Sequence, residues 1–282
     1  MRLAHLILVH NNPEQLERLI KRIGYSSSDI YIHIDAKSDS VNFEYLKSIP
    51  NIYFIKKRLS VGWGNYSMVA ATLNSMKEIL DTQINYSHIN LISGQDYLLK
   101  RIEDIEQFFF ANTDKSYIQY LSINEEWKEA KSRLTKYNLG DLSFPFKYRI
   151  QSFINHFLPN RKIPDGLEPY GSSQWLTITP NCVRYVLKFL TEKPKTLNFF
   201  KWTWAVDEIL FQTILLNSPF KLSIINDNKR YIKFENNEVN PKLLTVADAD
   251  NLLKSDKFFA RKFSIHIDSH ILDLIDNSIG LT

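Results

Sequence analysis

The chain opens with the segment Leu3-Ala4-His5-Leu6-Ile7-Leu8-Val9, an almost uninterrupted apolar run of the length of one β-strand. Pro13 follows, and apolar residues then recur at helical spacing at positions 16, 19, 20 and 23. The same alternation continues, with strands predicted over 30–34, 52–55 and 88–93 and an amphipathic helix over 66–80. Apolar strands that alternate with amphipathic helices predict an α/β fold with a Rossmann-like, mostly parallel central sheet flanked by helices.

The second half of the sequence is less regular. Residues 115–170 mix aromatic with basic residues and contain four prolines, which predicts short helices and long loops. Further strands are predicted over 173–178 and 231–234, and helices over 180–190, after Thr179, and over 205–216. No stretch has the composition of a linker, so residues 1–282 are predicted to form one composite domain.

Composition excludes several classes of protein. The 35 Lys and Arg residues exceed the 31 Asp and Glu residues by only four, which suits a nucleotide-sized anion and gives no reason to expect nucleic acid. The single cysteine, Cys182, excludes an intrachain disulfide. No apolar run reaches the roughly 18 residues of a membrane span, and the strand pattern at Leu3 leaves no room for a signal peptide. The sequence therefore predicts a cytoplasmic protein, with at most a peripheral contact at the inner face of the membrane.

Polar side chains stand where the predicted strands end. Parallel sheets bind nucleotides beyond the carboxyl ends of their strands, which singles out His10, Asp35 and Ser93 to Asp96. Asp35 would accept hydrogen bonds from a base or a ribose, or it would cap a turn. Trp63, between Gly62 and Gly64, offers a platform for a base or a sugar, although a lone Trp is more often a core residue.

Acidic and histidine clusters give little support for a metal site. Only Asp96 is acidic at the end of the strand that finishes at Ser93. The pair Asp248 and Asp250 opens a short predicted helix and is interpreted as capping. His266, Asp268 and His270 alternate and would share one strand face, but such a set near a terminus is more often solvated. No metal is predicted.

Two adjacent cations lie in the aromatic run Phe258-Phe259-Ala260-Arg261-Lys262-Phe263. No acidic residue occurs between Asp256 and Asp268, and an unpaired buried cation is costly. The partner would be a distant carboxylate or the phosphate of a ligand, and Arg230 beside a predicted strand is a third candidate cation.

A pair of carboxylates, Asp207 and Glu208, follows Trp202 and Trp204. Acids in the first turn of a helix commonly compensate its dipole. The functional alternative is a general base in apolar surroundings, with the Trp rings packed against sugar faces.

The chain resembles the core-2/I-branching and peptide O-xylosyltransferase family from Leu3 to about Phe263. The likeness rests on motifs that occur in the same order: Leu-Val-His at 8–10, Ile-His-Ile-Asp at 32–35, Trp-Gly at 63–64, Ile-Asn-Leu-Ile-Ser-Gly-Gln-Asp-Tyr at 89–97, Gly-Ser-Ser-Gln-Trp at 171–175, Asp-Glu at 207–208, Arg230, and Phe-Phe-Ala-Arg-Lys-Phe at 258–263. The resemblance implies a GT-A fold and an inverting, metal-independent glycosyltransferase that needs no cofactor. Its donor would be a UDP-sugar of the UDP-GlcNAc or UDP-xylose class, and residues 1–115 and 116–282 would form its nucleotide-binding and its acceptor, donor-sugar and diphosphate-binding halves.

The resemblance also implies roles for individual residues. Glu208 would be the catalytic base. The other implied groups are His10, Asp35, Trp63 and Gly64 at the nucleotide, Arg230, Arg261 and Lys262 at the diphosphate, and Asp96, Ser173, Gln174, Trp175, Trp204 and Asp207 at the sugar and acceptor. Some family members have an acid at the position of Gln174, so the donor sugar and acceptor stay open, although the reaction type does not. Leu98 also replaces a usual proline.

Animal members of that family carry an N-terminal membrane anchor and disulfides. The lack of both in this sequence leads us to expect a bacterial enzyme that builds surface polysaccharide on a glycan or lipid-linked glycan acceptor. The alternative is a non-catalytic nucleotide- or carbohydrate-binding module that uses the same cleft.

Overall fold

The computed structural model describes residues 1–24, 27–235, 238 and 240–280. In this part of the chain, strands form a seven-stranded sheet of order β3-β2-β1-β4-β7-β6-β8 and a three-stranded sheet of order β5-β10-β9. The strands are β1 (Arg2–Val9), β2 (Ser28–Ile34), β3 (Ile52–Phe54), β4 (Tyr86–Ser93), β5 (Asp96–Leu98), β6 (Ser116–Ser122), β7 (Tyr170–Ile178), β8 (Ile224–Ile225), β9 (Arg230–Ile232) and β10 (Phe259–Arg261). Within the large sheet only β7 runs against its neighbours, so the predicted mostly parallel α/β sheet is confirmed.

Helices cover both faces of the large sheet. They are α1 (Pro13–Ile23), α2 (Tyr66–Asp81), α3 (Ile102–Phe110), α4 (Lys131–Thr135), α5 (Lys147–Phe157), α6 (Pro180–Glu192), α7 (Pro194–Lys201), α8 (Leu210–Leu216), α9 (Ala249–Leu253) and α10 (His270–Ser278). Pro13 and Pro180 stand at the starts of α1 and α6, where the missing N–H costs nothing, and Thr179 caps α6 through the N–H of Cys182. None of the helices in the described ranges is long and apolar enough to cross a membrane.

Alternation of side chains along the strands separates two hydrophobic cores. Ala4 and Leu6 of β1 belong to the core that α2, α6 and α8 close, whereas Leu3 and Ile7 belong to the core of α1, α3 and α10. Each core combines residues from before and after position 115, which accounts for the absence of a recognisable linker. The assignment of ligand parts to two halves stays a prediction.

Three local predictions were wrong. Residues 116–122, predicted within a region of loops, form β6, because pairing with β7 and β8 supplies the hydrogen bonds that no local pattern reveals. The helix predicted over 205–216 is interrupted: Val206–Glu208 is a separate 3-10 turn, and α8 begins only at Leu210. His266, Asp268 and His270 do not share a strand: His266 lies in a turn, Asp268 follows that turn, and His270 begins α10. Asp268 accepts the backbone N–H groups of His270 and Ile271 at the start of this helix.

The capping interpretation of Asp248 is confirmed. Asp248 forms a capping box with Thr245, and its carboxylate pairs with Lys233 at 2.9 Å and with Lys242 at 3.0 Å. The Asp248 carboxylate is therefore engaged in capping its helix turn and in two ion pairs.

Gly64 joins the loop after β3 to the segment that precedes α8. Its φ of +67° lies in the left-handed region, and a Cβ on it would stand 2.8 Å from the indole ring of Trp204. The N–H of Ala205 also donates to the carbonyl of Gly64 at 2.6 Å. Gly64 therefore permits both a backbone turn and the close approach of an aromatic ring.

We predict that Gly64→Ala destabilises the protein more than Gly166→Ala. Gly166 has a φ of +66°, but a Cβ on it would meet no atom within 4 Å, so Gly166→Ala tests backbone strain alone. That strain costs about 1–2 kcal/mol, whereas Gly64→Ala adds about 1–3 kcal/mol of overpacking against Trp204. Urea unfolding of the two variants measures the difference, and equal losses would contradict the packing role.

Candidate active site

A cavity of about 960 Å³ lies at the carboxyl ends of the parallel strands. The ends of β1, β2 and β4 form one side, and residues from β7, the 206–208 turn, β9 and β10 form the other. This position at a sheet edge, beside the antiparallel β7, is where α/β proteins bind ligands.

Most of the predicted site residues converge on this cavity. Those that line it are His10, Asp35, Trp63, Ser173, Gln174, Trp175, Asp207, Glu208, Arg230, Arg261 and Lys262. Gly64, Asp96 and Trp204 do not.

Asp35 both caps a turn and lines the cavity, so the two alternatives for this residue do not exclude each other. Its Oδ1 accepts the N–H of Lys37 at 2.8 Å, and its Oδ2 accepts the N–H of Val61 at 3.4 Å. A carboxylate has further lone pairs, so these bonds orient Asp35 without exhausting it. His10 is exposed at the end of β1 and also lines the cavity.

Asp96 has a different place from the predicted one at the sugar or acceptor. Its side chain is fully buried, accepts the N–H and hydroxyl of Ser93, and lies 3.3 Å from the Nε of Arg261. Burial raises the pKa of Asp96, while the nearby Arg261 cation opposes that rise. Asp96 is therefore the anion that anchors Arg261 from below the cavity wall.

Arg261 lies between Asp96 and the ring of Trp175. Its guanidinium carbon is 4.0 Å from the Trp175 ring centroid, a cation–π contact, and burial lowers its pKa. Within the described ranges, no residue accepts a hydrogen bond from its terminal nitrogens. Trp175, predicted at the sugar, thus supports a cation that retains donors for a ligand.

Among the three cations predicted at the diphosphate, Arg230, Arg261 and Lys262, the least restrained is Lys262. It is half-buried, lines the cavity, and its ammonium has no ion-pair partner among the residues that the structure describes. Lys257, another cavity residue, is by contrast held by Asp227 at 3.1 Å.

Arg230 forms part of the floor of the cavity. It is 4% exposed and donates five hydrogen bonds, to Asn90, Leu91, Leu176, Thr177 and Asn228. Only its Nε lacks a partner in the described part of the chain, and burial lowers its pKa to about 9. These bonds make Arg230 a structural part of the cavity floor. Its direct contact with a diphosphate stays a prediction, and Nε is the one nitrogen of its guanidinium that is not already bonded within the described residues.

The Gly-Ser-Ser-Gln-Trp stretch contributes an amide to the cavity. The hydroxyl of Ser173 is already occupied, since it accepts from Asn228 and from the N–H of Trp175. Gln174 also lines the cavity, and its buried Nε2 has no hydrogen-bond partner among the described residues. An unpartnered buried amide is costly, so Gln174 is a candidate ligand contact.

A second cavity of about 620 Å³ adjoins the main one at Trp63, which lines both, and Trp204 lines the second cavity alone. Their rings meet edge to face with centroids 5.2 Å apart, and Trp63 is 59% exposed. Both line the second cavity, together with amide and basic side chains. Gly64, predicted at the nucleotide, lines neither cavity and serves the packing of Trp204.

The adjacent carboxylates Asp207 and Glu208 have different surroundings. Asp207 is 9% exposed, its Oδ1 lacks a hydrogen-bond partner in the described ranges, and burial, followed by repulsion from Glu208, raises its pKa to about 7. The Glu208 side chain is 33% exposed and forms an ion pair of 2.5 Å with Arg133. Near neutral pH the site thus holds one carboxyl that is partly protonated beside one that is paired with a cation.

Arg133 is a residue of the site that was not predicted from the sequence. It lies on α4, in the irregular region, and stacks over the ring of Trp127 at 4.6 Å. No local signal distinguishes it from other surface arginines, because its role depends on a partner 75 residues away.

The described residues contain no cluster of three or more His, Cys, Asp or Glu side chains that could hold a metal ion. His266, Asp268 and His270 do not form such a cluster, and Asp268 accepts a backbone N–H group at the start of α10.

Comparison with known proteins gives relatives at low identity over nearly the whole chain. Xylosyltransferase 2 of Rattus norvegicus is 26% identical over 300 residues, which cover 98% of this chain and 33% of that protein. Xylosyltransferase 2 of Homo sapiens is 25% identical over the same length, and Xylosyltransferase 1 of Rattus norvegicus is 24% identical over 237 residues. The chain spans about a third of the length of these relatives.

Among solved structures, S. aureus TarS 1–349 in complex with UDP has a TM-score of 0.41 at 9% identity, covering 99% of this chain and 65% of the other. Mouse xyloside xylosyltransferase 1, apo form, has a TM-score of 0.34 at 10% identity, covering 76% and 81%. At these scores neither likeness bears on what this chain does. Residues 3–253, in contrast, match the sequence profile described as Core-2/I-Branching enzyme, and the chain belongs to this family.

Proposed function

We propose that the protein is a glycosyltransferase that moves a sugar from a UDP-sugar to a hydroxyl group of a glycan acceptor. The observation that carries the proposal is that one cavity is lined by two carboxylates, Asp207 and Glu208, and by two cations, Arg261 and Lys262. Transfer from a nucleotide diphosphate needs a base for the acceptor and positive charge for the leaving group. Family membership and relatives named xylosyltransferases support the same reaction.

The donor would lie with its uridine near the strand ends and its diphosphate near β10. Asp35 and His10 offer hydrogen-bonding groups at the ends of β2 and β1. Lys262 would act as a point charge on the diphosphate, and the terminal nitrogens of Arg261 would donate to its oxygens. The buried charge of Arg230 adds positive potential from the floor.

The chemical step that we propose is an in-line displacement with inversion. The acceptor oxygen attacks the anomeric carbon, the bond from that carbon to the diphosphate breaks, and UDP leaves with the bonding electrons. Glu208 takes the hydroxyl proton, and its ion pair with Arg133 orients the carboxylate. Asp207, whose pKa of about 7 leaves it partly protonated, would donate a hydrogen bond to the donor sugar or the acceptor.

Metal independence is part of the proposal. The one acid after β4, Asp96, is already held by Ser93 and Arg261, whereas two anchored cations, Arg230 and Arg261, line the cavity. Such cations stabilise a leaving diphosphate without reorganising during the reaction. The donor is proposed to belong to the UDP-xylose or UDP-GlcNAc class, and a role in bacterial surface polysaccharide stays a prediction.

We predict that sugar transfer persists in excess EDTA. Protein cations would supply the charge that a divalent metal supplies in other transferases. The assay compares turnover of the most active donor from a UDP-sugar panel with EDTA, without EDTA and with added Mn²⁺. Loss of turnover with EDTA and recovery with Mn²⁺ would contradict metal independence but not the transfer reaction.

We predict that Lys262→Ala weakens the binding of UDP far more than the binding of uridine. A charge-assisted contact of about 1.5–3 kcal/mol would be lost only for the ligand that carries phosphates. Isothermal titration calorimetry with both ligands measures the ratio. Lys254→Ala, at an exposed lysine that does not line the cavity, is the matched control. Equal losses for UDP and uridine would remove Lys262 from the diphosphate site.

We predict that Glu208→Gln lowers the transfer rate roughly 10²–10⁴-fold, the usual contribution of a general base, with UDP affinity nearly unchanged. The amide retains the shape of the side chain but cannot accept the proton. A thermal melt of the variant separates lost chemistry from misfolding.

Asp207→Asn is the neighbouring comparison. If a folded Glu208→Gln variant keeps most of its activity while Asp207→Asn loses it, Asp207 is the base. A wild-type protein that binds UDP-sugars but transfers and hydrolyses none would favour the binding-module alternative.

A further inference from the structure

Helix α5 is attached to the rest of the protein through its polar face. Asn155 accepts the N–H of Tyr137 at 2.7 Å and donates to the carbonyl of the same residue. Gln151 accepts the N–H of Leu139 at 2.7 Å, and Lys147 donates to the carbonyls of Gly140 and Leu142. The side chains that hold the helix in place are therefore an ammonium and two amides, one helical turn apart.

The apolar face of α5 points to solvent. No residue of the helix is buried, and Phe153 and Phe157 are 62% and 64% exposed, with ring centroids 4.5 Å apart. Large apolar side chains that are exposed in and around α5 form what we name the α5 patch: Leu142, Phe144, Phe146, Tyr148, Ile150, Phe153, Phe157 and Leu158.

This arrangement is the reverse of an ordinary surface helix, which buries its apolar face and exposes its polar one. A contiguous apolar surface of this kind on a soluble protein usually marks an interaction site. Four of its five rings are Phe, and Phe and Leu are side chains that membrane-surface helices bury at the boundary between headgroups and acyl chains.

The charge of the segment bears on the chemistry of its partner. Between Leu142 and Pro164 the sequence contains no Asp or Glu, whereas Arg149 and Lys162 are exposed cations. The guanidinium of Arg149 lies 5.5 Å from the ring of Phe146, so positive charge and apolar surface occur side by side. A partner that fits must offer both an apolar layer and negative charge.

We propose that the α5 patch docks on the surface of an anionic lipid bilayer. Rings would enter the boundary between headgroups and acyl chains, while Arg149 and Lys162 would contact lipid phosphates. A second copy of the chain is a poorer occupant, because residues 142–164 contain no acid that could pair with the cations of the other copy.

Docking would bring the second cavity close to the lipid headgroups, because Tyr148 belongs to the α5 patch and also lines that cavity. Gln151 and Asn155, on the attached face of α5, line the same cavity from the protein side. A lipid-linked acceptor could then reach Trp63 and Trp204 from the membrane side. This link to the acceptor rests on the proposed function, whereas the docking itself does not.

The test is co-sedimentation of the full chain with vesicles, without any substrate. We expect binding to mixed phosphatidylcholine–phosphatidylglycerol vesicles, weaker binding to phosphatidylcholine alone, and a decrease as salt increases. Phe153→Ser combined with Phe157→Ser should lower the partition coefficient about 100-fold, since each buried ring contributes roughly a factor of ten. Arg149→Gln combined with Lys162→Gln should reduce the preference for the anionic vesicles.

The matched control is Leu222→Ser combined with Leu253→Ser, which removes two exposed apolar side chains elsewhere and should leave vesicle binding unchanged. Thermal melts should be the same for all variants, because none of the substituted side chains is buried. The proposal is overturned if the wild type does not bind anionic vesicles, or if the variant with both Phe153→Ser and Phe157→Ser (the two-Phe variant) binds them as the wild type does. It is also overturned if sedimentation equilibrium shows a dimer that the two-Phe variant loses, which would assign the α5 patch to a contact between copies. Because no assay here measures sugar transfer, failure of this proposal is distinguishable from failure of the proposed function.

Discussion

The buried guanidinium of Arg230 is the constraint on which the arrangement of the site depends. A cation removed from water must be compensated by its surroundings, and here the compensation comes mainly from neutral acceptors. Asn90 and the carbonyl of Leu91 belong to β4, and Thr177 and the carbonyl of Leu176 belong to β7, whereas Arg230 itself belongs to β9. The hydrogen bonds that compensate the charge of Arg230 therefore hold the three-stranded sheet against the seven-stranded sheet.

This attachment determines what faces the cavity. β10 lies between β9 and β5, so Arg261 on β10 is held between Asp96 and Trp175. The Asp96 carboxylate neutralises part of the local positive charge, yet it is fully buried and does not compete for a ligand from within the cavity. Arg261 is therefore anchored, whereas the neighbouring Lys262 has no ion-pair partner within the described residues.

Burial also gives the two adjacent carboxylates different protonation behaviour. Asp207 and Glu208 are neighbours in one short turn, and a uniform environment would leave them similar. Burial raises the pKa of Asp207 to about 7, whereas Arg133 pairs with the more exposed Glu208. Neighbouring acids with different protonation behaviour are what a site needs if one accepts a proton and the other donates a hydrogen bond.

The sequence alone determined the class of fold and the edge at which the site lies. Apolar runs and helical periodicity depend on local order along the chain, so the strands near Leu3 and Ile30 and the helix after Tyr66 could be predicted from them. Because strand ends follow from strand positions, Asp35 and His10 could also be placed at the cavity. The ordered motifs indicated the family, and most of the residues that they singled out line the cavity.

Only the tertiary structure decided what each polar group does. Asp96 lies beneath the cavity wall, Gly64 packs against Trp204, and Glu208 has Arg133 as its partner, which no local pattern indicates. The periodicity of α5 shows two faces but not which one is attached to the protein. The physical reason is the same in each case: local pattern sets secondary structure and the two faces of each element, whereas burial, pKa and hydrogen-bond partner are set by groups distant in sequence.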